Sequence, residues 1–322
     1  MIIETNIYKC IINKFLENKI TPHIISFINI KQIHNFENMM KNDKSPIMKQ
    51  IQKQATVIKQ KDYLYDLDTA TFLLLELGSG YELGSIYSKL TPVDIKIVIF
   101  QTLYTLYNFA LIGLLHNDLH LGNIMIDILD KPATFIYFTD ENTYYSIETK
   151  YMAKIFDFDF SYYCNKVMDE KNCQKNTKLF DLKEDGVENN KIIIDKNDKF
   201  DLFTFLCLLY DYISYDKGTR TLIERIIKAN KLLTYKWKYN CRLSNKTYKE
   251  KNPGASISKE GTYFPTSEQI INFSDIFGGD MFKQYKHFLS KEGFPYPIDY
   301  CHIYMLASIN REPILYKIKE IK

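Results

Sequence analysis

The chain has 322 residues, with 42 Lys and Arg against 39 Asp and Glu, for a formal net charge of +3. So even a balance excludes a polyanion-binding stripe as the organising feature, and no nucleic-acid partner is expected. Hydrophobic residues make up 46% and charged residues 25%, a globular balance with chain enough for one large domain or two smaller ones. The six cysteines, Cys10, Cys164, Cys173, Cys207, Cys241 and Cys301, are dispersed with no C-x-x-C pair. That pattern fits reduced thiols in a cytoplasmic protein better than a disulfide framework or a zinc site.

In chain order, TNIYKCIINKFLEN (5–18) spaces Ile7, Ile11, Ile12 and Phe15 at helical intervals. Pro22 ends that helix. Glu4 and Lys9 interrupt the start before a long apolar run can form, so no signal peptide is expected. IISFINI (24–30) reads as a strand, 31–54 is polar and indistinct, and TFLLLEL (71–77) reads as a buried strand closed by a GSG turn. TPVD (91–94) is a helix start: Thr91 caps, Pro92 suits the first helical position and Asp94 completes the capping box. The helix should reach about Ile112 and stop at Gly113. The apolar run 97–115 approaches bilayer-spanning length. It carries Gln101, Thr102, Thr105 and Asn108 and lacks an aromatic-and-basic flank, so a buried helix is expected and no membrane partner.

Two strand-like runs follow at 123–129 and 134–138, and YMAKIFDFDFSYY (151–163) brings the chain back. Residues 164–197 are polar and read as a loop. KFDLFTFLCLLYDYI (199–213) is a strongly apolar helix, 240–280 reads as an irregular insert, and DMFKQYKHFLSKEG and CHIYMLASI read as terminal helices.

The chemistry concentrates in LLHNDLHLGNIMI (114–126). Polar groups in so apolar a run cost free energy unless paired or put to work. His116-x-Asp118-x-x-x-x-Asn123 follows a buried helix, and Asp157 in KIFDFDF ends a strand. Phosphoryl transfer from ATP asks little covalent chemistry of a protein. It needs Mg²⁺ held on the phosphates and a carboxylate to orient the attacking hydroxyl. One Asp as base, with an Asn and a second Asp on the metal, is the minimum oxygen-donor set.

HNDLHLGNIMI resembles the catalytic loop of the protein-kinase-like superfamily, H-x-D-x-x-x-x-N. Its Asp-Leu-His-x-Gly-Asn wording is closer to aminoglycoside and other small-molecule phosphotransferases and atypical kinases than to ordinary eukaryotic protein kinases. KIFDFDF resembles the metal-binding D-F-G segment with Asp159 at the glycine position, and KFDLFTFL resembles the buried helix whose Asp, here Asp201, braces the catalytic loop. With ETNIYKCIINKFLENKITPHII, the pattern is similar to serine/threonine protein kinases of large DNA viruses.

The resemblance implies an α+β, protein-kinase-like bilobal fold. Residues 1–77 would form a truncated N-terminal lobe. Residues 78–322 would form a mainly helical C-terminal catalytic lobe, with an activation segment at 164–197 (Thr177 its candidate phosphosite) and the insert at about 240–280. It implies ATP and Mg²⁺ as cofactors, a viral setting in host cytoplasm or virion, and a protein substrate, with a small-molecule acceptor as the alternative. Asp118 would be the catalytic base, and Asn123 and Asp157 would hold Mg²⁺. His116 would support the loop, and His120 would stand where protein kinases carry a phosphate-contacting lysine. Glu76, Leu77 and Gly78 would form the hinge against adenine, and Glu4 would pair with the nucleotide-binding lysine.

The glycine-rich loop and lysine strand expected before Glu4 are not found. TVIKQ, with Lys59, is lysine-strand-like but follows the helix, and GSGYELG (78–84) is one place off G-x-G-x-x-G. A substitute cation such as Lys59, a partner chain supplying strands, and a catalytically silent interaction scaffold are the three expectations that follow. A metallohydrolase built on His116 and His120 ranks below them, because the Glu of H-E-x-x-H is missing.

Overall fold

In a computed structural model, the described residues are 2–46, 49, 69–76, 78, 80–163, 174–175, 200–213, 215–229, 277, 282–289 and 301–311. Helices and strands mix along them, as an α+β chain requires. Helix α1 (Ile2–Ile7) runs through a π-helical turn, Tyr8–Ile12, into α2 (Asn13–Glu17). The π turn adds a residue to the helical circuit, and Ile7, Tyr8, Ile11, Ile12 and Phe15 all remain buried along it. Asn13 fastens α2 to the next strand: its amide donates to the Phe27 carbonyl and accepts the Phe27 N–H, both at 3.1 Å. That strand, β1 (Phe27–His34), pairs antiparallel with β2 (Thr69–Leu75), and α3 (Phe36–Asn42) leans on the pair through Phe36 and Phe72.

β3 (Tyr81–Glu82) and α4 (Leu83–Ile86) lead to α5 (Pro92–Ile112). The start of α5 is as expected: Thr91 Oγ1 accepts the Asp94 N–H at 3.2 Å, the Asp94 carboxylate accepts the Thr91 N–H at 3.0 Å, and Pro92 opens the helix. Gly113 ends it at φ 78°, a left-handed conformation that glycine adopts without steric cost. By length and composition α5 can cross a bilayer, yet most of it is buried inside the fold. Three of its polar residues reach neighbouring segments. Gln101 donates to the Tyr151 carbonyl (3.1 Å) and accepts the Ala153 N–H (2.9 Å), standing in for a missing strand. Thr105 meets Thr21, and Asn108 accepts the Ala307 N–H.

β4 (Leu114–Leu115) leaves α5. Then β5 (Ile124–Phe138) and β6 (Thr143–Ile155) make one long antiparallel hairpin. The two runs expected at 123–129 and 134–138 are therefore one strand. Their apparent gap is an irregularity in the register between Ile128 and Ala133, around Pro132, which has no N–H for the ladder. The remaining elements are β7 (Tyr162–Tyr163), β8 (Gln174–Lys175), α6 (Phe200–Tyr212), α7 (Lys217–Ala229), β9 (Lys286–Phe288) and β10 (Cys301–Met305). The central sheet runs β10-β5-β6-β9, with β3 on the early part of β5. β4, β7 and β8 form a second sheet, and β1 and β2 a third.

The helices expected at 280–293 and 301–309 are corrected. Lys283–Tyr285 is a short 3₁₀ turn, followed by β9, and Cys301–Met305 is a strand parallel to Thr134–Phe138 of β5. Ile303 and Tyr304 suit a pleated surface, and the open edge of β5 decides between helix and strand. The central sheet also lies within 78–322, beside the helices α4 to α7. α5 packs on that sheet through Phe100 and Tyr104, whose rings meet Tyr137, Tyr145, Phe277 and Phe282. The activation segment other than Gln174–Lys175, the 240–280 insert apart from Phe277, and Lys59 lie outside the described residues.

Candidate active site

The loop after β4 is held from below by one carboxylate. Asp201, in the first turn of α6 and only 3% exposed, accepts the backbone N–H of His116 at 2.7 Å and of Asn117 at 2.8 Å. A buried carboxylate needs such donors, and two charge-assisted bonds fix the loop more firmly than neutral ones. They hold Asn117 at φ 64°, a left-handed conformation tolerated best by Asn, Asp and Gly. Asn117 Nδ2 donates to the Phe160 carbonyl at 3.1 Å, tying the loop to the turn after β6.

His116 makes the second tie. Its Nε2 lies 2.9 Å from the Phe156 carbonyl and must donate there, so Nδ1 is the acceptor for the Asp118 N–H at 3.3 Å. Full burial pushes the imidazole down to about 4, against the Phe156 bond that favours protonation, so it is neutral at neutral pH. Asn123 makes the third tie. It is buried, its amide nitrogen donates to the Asp118 carbonyl at 2.9 Å, and its carbonyl accepts the Phe156 N–H at 3.1 Å. The amide oxygen remains as its metal-competent atom.

Asp157 follows Phe156 and sits at φ 66°. Non-glycine residues rarely take this conformation, and it is concentrated where surrounding structure enforces it. Phe158 supplies part of that enforcement, fully buried against Tyr8, Phe109 and His116 with ring centroids 5.2, 5.8 and 5.0 Å away. The Asp157 N–H donates to the Tyr8 hydroxyl at 3.2 Å. Burial first, then the neighbouring Asp159 charge, raises the Asp157 carboxyl above its ordinary value. Glu4 lies on the same side. Burial, a hydrogen bond with Asp159 and the charges of Asp159 and Asp157 push it up to about 8. Among the described residues Asp157 and Asp159 are the acidic neighbours of Glu4, and the candidate lysine, Lys59, lies outside them.

His120 accepts the Gly122 N–H through Nδ1 at 3.0 Å, so the proton of the neutral ring sits on Nε2, 3.8 Å from the Asp118 carboxylate. His120 therefore stands beside the predicted base. A Cβ on Gly122 would meet the His120 ring, which explains glycine there.

The predicted hinge carries an ion cluster that the sequence reading missed. Lys154 on β6 bonds the Glu76 carboxylate and lies 3.1 Å from Asp127 of β5. The other Glu76 oxygen accepts from Ser26, from its N–H at 3.0 Å and its hydroxyl at 2.7 Å. The Glu76 N–H donates to the Ser26 carbonyl at 2.9 Å, so both its backbone donor and its side chain are committed to structure. Gly78 and Gly80 press against β5: a Cβ on Gly80 would fall on the Ile126 carbonyl, and one on Gly78 on the Met125 side chain. Leu77 lies outside the described residues. Lys154 sits inside the apolar run YMAKIF, a buried-strand pattern in which a lone lysine signals a buried partner.

The chemical inventory is compact. Asp118, His120 and Asn123 are brought together by direct hydrogen bonds, and Asp157 joins them through the Phe156 N–H on the Asn123 backbone carbonyl, with Glu4 and Asp159 on the Asp157 side. Among the described residues no group of three or more His, Cys, Asp or Glu is arranged to hold a metal. Neither a protein-family model nor a curated protein matches the chain.

Proposed function

We propose that this chain has a protein-kinase-like bilobal fold and is an ATP- and Mg²⁺-dependent phosphotransferase acting on a hydroxyl, in the first instance Ser or Thr of a protein. The observation that carries the reading is the Asp201 carboxylate gripping the His116 and Asn117 N–H groups. It fixes the loop bearing Asp118, while His116 and Asn123 bind that loop to the backbone just before Asp157.

The donor set fits the implied metal. Asp157 offers a carboxylate and Asn123 an amide oxygen, hard ligands of the kind Mg²⁺ takes in pairs when phosphates complete its shell. When bound, Mg²⁺ would neutralise charge on the transferring phosphoryl group. The chain's own part is positioning. Asp118 accepts the proton of the acceptor hydroxyl and aligns its oxygen. His120 presents its Nε2–H beside the Asp118 carboxylate, next to where negative charge develops. His116 stays neutral and holds the Phe156 backbone so that Asp157 keeps its left-handed conformation.

The test is transfer of labelled γ-phosphate from Mg²⁺-ATP to a mixed protein substrate and to a small-molecule hydroxyl panel. Asp118→Asn should lower turnover at least 100-fold, the order of a general-base contribution, with the thermal midpoint unchanged. Asp157→Asn should abolish the Mg²⁺ dependence. Wild-type turnover in Asp118→Asn would sink the role assignment. Label on a small acceptor but not on protein would move the enzyme to the small-molecule phosphotransferases.

A second reading, an interaction scaffold without catalysis, is favoured by the acidic surroundings of Glu4. Thermal unfolding with Mg²⁺-ATP separates the two. Saturation at 100 times the dissociation constant adds about 2.7 kcal/mol to a binder and nothing to a non-binder.

A further inference from the structure

Away from the candidate active site, α7 presents Lys217, Thr221 and Arg225 four residues apart, hence on one face. With Lys96 of α5, Gly218 and Leu222 they line a cavity of about 470 Å³. Among the described residues, none of the three cations is held in an ion pair. The Asp216 carboxylate is committed to the start of α7, where it accepts the Gly218 N–H at 2.9 Å and the Thr219 hydroxyl, although it also feels the Lys96 charge. Three cations around one cavity repel one another, and a bound anion relieves that repulsion. Thr221 spends its hydroxyl proton on the Lys217 carbonyl at 2.9 Å, so towards the cavity its oxygen is an acceptor.

We propose that this groove is a docking site for a phosphorylated peptide segment. A guanidinium and two ammonium groups match a doubly charged phosphoryl group, with the planar guanidinium suited to bidentate contact. The volume is several times what a phosphoryl group fills and lies in the range of ligand pockets, leaving room for the residues on either side. Leu222 gives those residues an apolar wall, and the Thr221 oxygen can accept a peptide N–H. The proposal does not depend on the catalytic reading, because docking is measured without nucleotide.

The experiment uses the full chain and fluorescence anisotropy with three pools of seven-residue peptides. The central residue is phosphoserine, serine or glutamate, and the flanks are degenerate. The phosphoserine pool should bind, the serine pool should not, and the glutamate pool should bind more weakly. Lys217→Gln combined with Arg225→Gln should weaken phosphoserine binding roughly 10-fold or more, the order of a lost charge-assisted contact. Lys96→Gln alone should also weaken it, and Asp118→Asn should leave it unchanged. Both cation variants are expected to keep the wild-type thermal midpoint, since Lys217 and Arg225 are exposed and Lys96 is partly so. Equal binding of the serine and phosphoserine pools would overturn the proposal. So would wild-type affinity in the double variant, or tighter binding of a single-stranded oligonucleotide than of the phosphoserine pool.

Discussion

Replacing Asp201 by alanine removes the single acceptor of two buried N–H groups. Each bond is short, 2.7 and 2.8 Å, and each is made to a carboxylate that is 3% exposed. Hydrogen bonds to charged groups contribute about 1.5–3 kcal/mol each, and orphaned buried donors keep their desolvation cost. The variant should therefore lose about 3–6 kcal/mol, a large share of the roughly 5–15 kcal/mol typical of a folded domain. Asp201→Asn should lose less, because its amide oxygen still accepts one N–H while its NH₂ faces the other. Urea unfolding measures the total, and hydrogen exchange locates it: the His116 and Asn117 amides should lose protection before those of β5 and β6. An alanine variant within about 1 kcal/mol of wild type, with both amides still protected, would refute the claim that Asp201 fixes the loop.

Lys154→Met takes the cation from two carboxylates, Glu76 and Asp127, and breaking one partner of a buried pair costs about 3–5 kcal/mol, less here because Glu76 keeps its Ser26 bonds. Adding Asp127→Asn should recover part of that loss in a double-mutant cycle, and strict additivity would show the cluster to be uncoupled. Stability should also fall as pH drops below 6.5. Burial holds His23 down to about 3 and His116 to about 4, against 6.5 for a free imidazole. Between those values the unfolded chain binds protons that the folded chain refuses, so each histidine removes about 1.4 kcal/mol per pH unit down to its own folded value. Glu4, raised by burial and its acidic neighbours, acts with the opposite sign from its ordinary 4.5 up to about 8. A wild-type urea midpoint that stays flat from pH 6.5 to 4.5 would contradict this, whereas His23→Gln, with one such histidine left against Glu4, should be nearly flat.

Where structure follows from neighbours in the chain, the sequence was readable. Thr91-Pro92-Val93-Asp94 and Gly113 mark both ends of α5, because capping is decided within a turn of the residue that does it. Asp201 was readable as a brace only through the motif around it. The errors lie where distant partners decide. Cys301–Met305 is a strand because β5 offers an edge, and nothing within the segment records that edge. Lys154 looks anomalous in an apolar run, yet the identities of Glu76 and Asp127 depend on how two strands and the segment after β2 meet. The acidic surroundings of Glu4 could not be read either, since they depend on how α1 lies across the turn holding Asp157 and Asp159. The α7 groove escaped because Lys96 is brought to it from another helix.

The parallel pairing of β10 with β5 has a consequence for how this protein is made. A ribosome releases Thr134–Phe138 long before it releases Cys301–Met305, and these segments face each other in the finished sheet. Until Cys301–Met305 emerges, that stretch of β5 has an unsatisfied edge of N–H and C=O groups, rich in aromatic side chains. Such an edge is a template for pairing with another nascent chain. Closing it spans about half of the given sequence, and pairings so distant in the chain form slowly. Expression at low temperature or with a chaperone that shields strand edges should therefore raise the soluble yield, and a chain cut before Cys301 should aggregate.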